Sequence, residues 1–340
     1  MSFKDKRILI VNLNWIGDVL FSTAAIRLLK ELYPTSFLAC MIPPRCKEIL
    51  ENNPYVDELI LFDERTKDRS FLSKLKLIVF LRKKKFDTVF LFHRSFTRAL
   101  ICRLAGIPER IGYDRRKTNF LLTKKVKLEP TAHRVDYFLN LLRVKDLTEA
   151  NKEYQFFVKE EDRLFAEEFL KKHNIGIEDK LVSLNPGGNW LLKRWNAENF
   201  AVLGDLVAEK YKAKILITGS EKDKELALNI SGAMKHKPVI CAGETTLGQL
   251  AALFEKSRVV VSADSGPMHI AVSIKAPVVA LFGPTSPEIT GPIGSGKSVV
   301  MREDTGCVIP CYELSCPSNK CMRAITPQKV IRLIDEEKLL

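Results

Sequence analysis

Short, uninterrupted apolar runs alternate with amphipathic helical segments twice along the chain, and this constrains the fold more than any other feature. Strands that are apolar on both faces belong in parallel sheets covered by helices; sheets with one wet face alternate apolar and polar residues instead. In the first half, strands are expected at Arg7–Leu13, Phe37–Met41, Glu58–Phe62, Thr88–Phe92 and Arg110–Tyr113. Helices over about Gly17–Leu32, Arg45–Glu51, Phe71–Lys84 and Thr97–Leu104 fall between them, and His133–Leu142 closes the half. The polar, aperiodic segment Glu149–Glu153 reads as a linker, giving domains 1–150 and 151–340. Beyond it, strands are expected at Leu181–Asn185, Lys214–Thr218, Val239–Ile240, Val259–Ser262 and Pro277–Phe282. Their helices are Asn199–Tyr211, Asp223–Met234 and Leu247–Phe254, and Thr326 before Pro327 predicts a capped C-terminal helix, Pro327–Leu340. At 340 residues the chain can give each of two α/β domains its own core. Ligands of such domains sit at the C-terminal ends of the strands, in the cleft between the halves.

Four strand-to-helix turns carry the chemistry. The apolar strand Val259–Ser262 runs into Asp264-Ser265-Gly266-Pro267, and a helix starts there with His269 in its first turn. A strand, a small-residue turn and a helix N-terminus present unpaired N–H groups and a positive helix end to a phosphate. The same turn also reads as an ordinary βαβ connection whose Asp caps the helix. Asn185-Pro186-Gly187-Gly188 follows another strand; its glycines admit close approach of a pyrophosphate, and Lys193 supplies a mobile positive charge. At the next strand end, Thr218-Gly219-Ser220-Glu221 offers Glu221 as an acceptor for ribose hydroxyls. None of the three matches G-x-G-x-x-G or the Walker A spacing, which disfavours nicotinamide dinucleotides and ATP-hydrolysing loops. In the first half, Asn14-Trp15-Ile16-Gly17-Asp18 follows the first strand, and Asp18 is a candidate general base. A helix N-terminus stabilises its carboxylate form, so Asp18 would take its proton as bond formation acidifies the attacking hydroxyl.

The formal net charge is +13, and it is unevenly spread. Between Arg65 and Lys145 there are 22 Lys and Arg against 6 Asp and Glu, an excess of +16 that leaves the remainder at −3. One basic half suggests an anionic partner: nucleic acid, an acidic membrane surface or an anionic glycolipid. Basic residues interleaved with stacking aromatics are missing, which disfavours the nucleic-acid reading. No segment approaches the 18 or so apolar residues of a membrane span. The N-terminus is basic and then apolar, like a leader, but Asn12 and Asn14 break the run and no small-residue cleavage site follows. The expected location is cytoplasmic, with charge-held peripheral contact at the inner face of the membrane. Cys40, Cys46, Cys102 and Cys241 read as small core residues. Cys307, Cys311, Cys316 and Cys321 crowd one loop without a C-x2-C pair, leaving free thiols, a structural metal and disulfides all open.

Taken together, these segments resemble the heptosyltransferases of glycosyltransferase family 9. The likeness runs from RILIVNLNWIGDVLFSTAAIRLLKELYP through PGGNWLLKRW, GSEKD, AGETTL and DSGPMHIA to ALFGPTSP. RSFTRALICRLAGIPERIGY is more similar to the second heptosyltransferase type than to the first. The resemblance implies a GT-B fold of two Rossmann-like domains facing a central cleft, with an N-terminal acceptor domain and a C-terminal nucleotide-sugar domain. It implies inverting transfer of heptose from ADP-heptose to the inner core of lipopolysaccharide, with no metal and no cofactor. By the same resemblance Asp18 is the base, Lys193 contacts the sugar nucleotide and Glu221 lies near the ribose. Asp264 and His269 match the residues that contact heptose and diphosphate, Ser265 and Gly266 form their turn, and Thr245 falls near the adenine. Arg94 and Arg98, after the strand Thr88–Phe92, are candidates for binding an anionic acceptor. Competing readings are a relative using another nucleotide sugar, a sugar-nucleotide epimerase on the same fold, and a basic nucleic-acid-binding protein.

Overall fold

All ten strand pairings are parallel, and they build two six-stranded sheets. The computed structural model describes residues 5–144, 151–311, 313 and 315–340. The unit Met1–Phe157 contains β1 (Arg7–Val11), α1 (Ile16–Leu32), β2 (Phe37–Ile42), α2 (Lys47–Leu50), β3 (Glu58–Leu61), α3 (Phe71–Lys84), β4 (Thr88–Leu91), α4 (Phe96–Leu104), β5 (Glu109–Tyr113), β6 (Lys124–Val126) and α5 (Arg134–Arg143). Its strand order is β3-β2-β1-β4-β5-β6. The unit Val158–Leu340 contains α6 (Glu160–Lys172), β7 (Leu181–Asn185), α7 (Ala197–Tyr211), β8 (Lys214–Ile217), α8 (Lys224–Ala233), β9 (Val239–Ile240), α9 (Leu247–Glu255), β10 (Val259–Ala263), α10 (Gly266–Ser273), β11 (Val278–Leu281), α11 (Pro287–Thr290), β12 (Ser298–Met301), α12 (Lys320–Arg323) and α13 (Pro327–Glu336). Its order, β12-β11-β10-β7-β8-β9, is the same pattern read from the opposite edge. Both are doubly wound sheets, with one reversal of strand order each: between β1 and β4, and between β7 and β10.

Burial follows sheet position. The central strands β4, β7, β10 and β11 are buried throughout, whereas the edge strands β6, β9 and β12 contain no buried residue. This explains why the central strands read clearly as apolar runs while β6 (KKV) and β12 (SVVM) were not anticipated. Helix α6 was also missed. It is dominated by Glu, Asp, Arg and Lys and buries only Ala166, Phe169 and Leu170.

The division between units falls at Phe157–Val158 rather than near Glu149–Glu153, of which residues 149–150 lie outside the described residues. The segment from Asn151 to Phe157 is bound to the first unit. Arg27 donates to the Asn151 carbonyl (2.8 Å), the Gln155 N–H donates to Thr23 Oγ1 (2.8 Å), and Tyr154 packs edge-on against Phe21. At the other end of the chain, Thr326 caps α13 by accepting from the Lys329 N–H, as its sequence position predicts. Buried Trp195 donates to the Ile325 carbonyl (2.8 Å), fastening this tail to the loop before α7.

Cys40, Cys46, Cys102 and Cys241 are buried, and all eight cysteines are free thiols. Burial pushes the thiols of Cys46, Cys102 and Cys241 up to about 12, so they behave as small apolar groups. Among the described residues no helix is long and apolar enough to cross a membrane.

Candidate active site

In a doubly wound sheet, ligands bind beyond the carboxyl ends of the strands that flank the order reversal. In the first unit these ends lead into the loops after β1 and β4. Asn12 and Asn14, which interrupt the apolar run of β1, are both buried there. Arg98 of α4 ties them together: Nη1 donates to the Asn12 carbonyl (2.7 Å) and Nη2 donates to Asn14 Oδ1 (2.8 Å). Its Nε lies 3.4 Å from Glu64 Oε1, and the residue is only 1% exposed. Burial drives the guanidinium pKa down, opposed by the charges of Glu64 and Asp63. The expectation for Arg98 is therefore corrected. Enclosed and engaged on the protein side, it braces the turn that precedes Asp18 and does not face a ligand. Arg94, by contrast, is exposed, and its charge lies near the Tyr137 phenol.

With its oxygen committed to Arg98, the Asn14 amide turns its NH2 towards His93 Nε2 at 3.2 Å. That nitrogen must accept, so His93 is neutral. Burial, reinforced by the nearby charges of Arg98 and Arg65, lowers its pKa to about 4. Unfolded His93 titrates near 6.5, so the unfolded chain binds a proton that the native one refuses as pH falls. Stability present above pH ~6.5 should thus be lost progressively down to about pH 4. Urea denaturation across this window should show the loss in the native protein, and His93→Gln, which keeps an acceptor without titrating, should flatten it. Parallel profiles for the two proteins would refute the assignment.

Helix α1 begins directly after this turn, with exposed Trp15 as its N-cap residue and Asp18 in its first turn. The Arg45 and Arg65 guanidinium groups lie 5.4 and 5.8 Å from the Trp15 ring. Asp18 is held from the side by Arg134 of α5, whose Nε and Nη2 both donate to Oδ1, at 3.1 and 2.8 Å. Among the described residues nothing donates to Oδ2. One carboxylate oxygen is anchored and the other is open, as a proton acceptor requires. Arg134 was not anticipated, because nothing local in sequence connects positions 18 and 134.

In the second unit the reversal lies between β7 and β10. Asn185 closes it: Nδ2 donates to Ser262 Oγ (3.1 Å) and Ser265 Oγ (3.5 Å), while Oδ1 accepts from Thr218 Oγ1 (3.1 Å). Asp264 follows β10, 6% exposed, with Lys193 Nζ at 2.7 Å from Oδ2, Thr290 Oγ1 at 3.2 Å and His269 Nε2 at 3.5 Å from Oδ1. Burial alone would raise its pKa. The hydrogen bond from His269 and the charges of Lys193 and His269 outweigh burial and hold the carboxyl far below the usual range. Ser265 is the N-cap residue of α10 but its side chain does not cap the helix, and Gly266-Pro267 opens the first turn. The positive end of α10 thus lies beside the Lys193–Asp264–His269 group. Asp264, Ser265, Gly266 and His269, read in the sequence as one motif, are joined here by Lys193 from the turn after β7. Thr290 was not foreseen.

Gly187 and Gly188 belong to an adjoining network. A Cβ on Gly187 would lie 2.6 Å from Asp223 Oδ2, so the glycine is required by the approach of that carboxylate. Asp223 accepts from Ser220 N (3.0 Å) and Ser220 Oγ (2.6 Å), and its Oδ1 pairs with Arg194 Nη2 at 3.2 Å. Arg194 Nε donates in turn to the Gly188 carbonyl (2.7 Å), joining the turns after β7 and β8. Glu221 is exposed, paired with Lys224 at 2.8 Å and packed against Gly243, whose φ of +77° only glycine adopts freely. Thr245 is half-buried just before Thr246, the N-cap of α9. Among the described residues no group of three or more His, Cys, Asp or Glu is arranged to hold a metal ion.

Two doubly wound units, each with polar groups gathered at its order reversal, have the GT-B architecture. The model of "Glycosyltransferase family 9 (heptosyltransferase)" matches residues 74–321, and the chain belongs to that family. It is 30% identical to lipopolysaccharide heptosyltransferase 2 of Salmonella typhimurium, an alignment covering 97% of this chain and 99% of that one. Among solved structures it resembles a family 9 glycosyl transferase from Veillonella parvula, with TM-score 0.91 and 27% identity over 99% of this chain and 98% of that one. The structure of Escherichia coli ADP-heptose lps heptosyltransferase II gives TM-score 0.80 and 27% identity, covering 97% and 98% of the two chains. The chain is therefore a glycosyltransferase enzyme.

Proposed function

We propose that the protein transfers a heptose from ADP-heptose to a hydroxyl of the lipopolysaccharide inner core, inverting the anomeric carbon without a metal. The observation that carries this is the pair of unlike sites at the two order reversals: a carboxylate with one open oxygen in the first unit, and a cation beside a helix N-terminus in the second. The names of the Salmonella and Escherichia relatives support heptose as the transferred sugar and lipopolysaccharide as the acceptor. The diphosphate is met by Lys193 and the N–H groups opening α10, while Asp264 fixes Lys193 and His269 in place. Gly187 and Gly188 belong to the turn beside Lys193, where the Asp223–Arg194 network fixes their backbone; Glu221 takes the ribose hydroxyls and Thr245 borders the base.

In the reaction, the acceptor oxygen forms its bond to the anomeric carbon as Asp18 Oδ2 takes its proton. The bond from that carbon to the diphosphate oxygen breaks, and ADP leaves with the electron pair. Charge gathering on the departing diphosphate is stabilised by donors already fixed in place. Arg94, with Arg45 and Arg65 around Trp15, gives the first unit cations for a phosphorylated or carboxylated acceptor.

Calorimetric titration with ADP, GDP and UDP, without added metal, tests the donor. ADP should bind at least about tenfold more tightly than the others, a difference of about 1.4 kcal/mol. Preference for GDP or UDP would overturn the ADP-heptose assignment while leaving the family unchanged.

A further inference from the structure

Helix α3 (Phe71–Lys84) carries two apolar faces, and only one of them meets the core. Leu77, Ile78 and Leu81 are buried in the first unit. Leu72, Leu75, Lys76, Val79, Phe80 and Lys83 follow the i, i+3, i+4, i+7, i+8, i+11 spacing of a single stripe on the other side, and all are exposed. Leu72 is 68% exposed and Val79 51%, with Phe71 at the tip 73% exposed. A solvent-facing helix stripe is ordinarily polar, so four large apolar residues in register demand an occupant.

The charge around the stripe says which. From Phe71 to Lys85 there are six Lys and Arg and no Asp or Glu. Lys84 is engaged by Glu58 at 2.6 Å, but among the described residues no carboxylate pairs with Lys76 or Lys83. The helix is also well fixed at both ends: Ser70 caps it by accepting from the Ser73 N–H, and Lys85 closes it in the left-handed conformation. A rigid helix with an apolar ridge and unpaired lysines on one face has the chemistry of an interfacial helix, seated among acyl chains with its cations at anionic headgroups.

We propose that α3 docks the protein on a bilayer containing anionic lipid, with Leu72, Leu75, Val79 and Phe80 entering the headgroup–acyl boundary. Docking of this kind is separate from the transfer chemistry and independent of which sugar accepts the heptose.

The test uses the full chain with vesicles of phosphatidylethanolamine and phosphatidylglycerol, compared with vesicles of phosphatidylcholine alone. The protein should float with the anionic vesicles and much less with the neutral ones. Leu75→Glu/Val79→Glu and, separately, Lys76→Glu/Lys83→Glu should each weaken binding about tenfold or more. Neither pair touches the catalytic loops, so unchanged ADP binding and an unchanged thermal transition certify their folding. Phe80→Trp provides a readout that needs no disruptive change: its emission should shift to the blue with anionic vesicles. Equal flotation of native and variant proteins, or no emission shift, would overturn the proposal. Self-association in sedimentation velocity that disappears in Leu75→Glu/Val79→Glu, without vesicle binding, would assign the ridge to a second copy of the chain and also overturn it.

Discussion

Replacing Asp18 by Asn should lower kcat about 10²–10⁴-fold, the range expected when a positioned proton acceptor is removed. Asn has the same shape, and its oxygen can still accept from Arg134 Nε and Nη2, so α1 and the turn before it should remain in place. What it lacks is an atom able to take the hydroxyl proton. ADP binding should be unaffected, because Lys193 and the start of α10 belong to the other unit. Steady-state kinetics with ADP-heptose, alongside calorimetry with ADP, separates the two effects. Near-native turnover, or a loss of ADP affinity equal to the loss of rate, would sink the assignment of Asp18 as the base.

The second large effect is expected at Asp264, where Ala should cost both stability and donor affinity. Its carboxylate is buried and serves three partners, Lys193, His269 and Thr290. Removing one member of such a group costs roughly 3–5 kcal/mol when the remaining charge is trapped. Lys193 is partly exposed and can turn to water, so about 2–3 kcal/mol is the better expectation here. The sign with pH also follows. A carboxyl held below its ordinary range contributes at neutral pH, and that contribution is lost as pH falls below the unfolded carboxyl value near 3.9. Urea denaturation at pH 7 should therefore show the full deficit in Asp264→Ala, and strong acid should narrow the gap to the native protein. A variant as stable as native at pH 7 would mean that the group is not stabilising, whatever its geometry.

What could be read in the sequence was what local pattern encodes. Central strands are continuously apolar because both faces are covered, so Leu181–Asn185 and the core of Val259–Ser262 stood out, as did the glycine-bearing turns behind them. The edge strands β6 and β12 contain no buried residue and left no such pattern, so they stayed hidden. Contacts between distant positions are likewise silent in one dimension. Arg134 reaching Asp18, Arg194 joining Gly188 to Asp223, and Thr290 on Asp264 have no local signal. Arg98 shows the opposite failure: a strand-end arginine reads as a ligand group until its burial is known. Asn12 and Asn14 did leave a trace, as polar breaks in an apolar run. Taken first as reasons to reject a leader, they are the hydrogen-bonding framework of the Asp18 turn.

The shared strand order of the two sheets also bears on how such an enzyme can change over time. Each unit has its own core and a single order reversal, so each keeps its ligand loops on a separate foundation. On the function proposed above, mutations after β1 and β4 would explore new acceptors while the loops after β7 and β10 went on holding the same donor. Selection would then act on the two substrate specificities one at a time, and a lineage would acquire a new sugar linkage without passing through a form that has lost its nucleotide sugar.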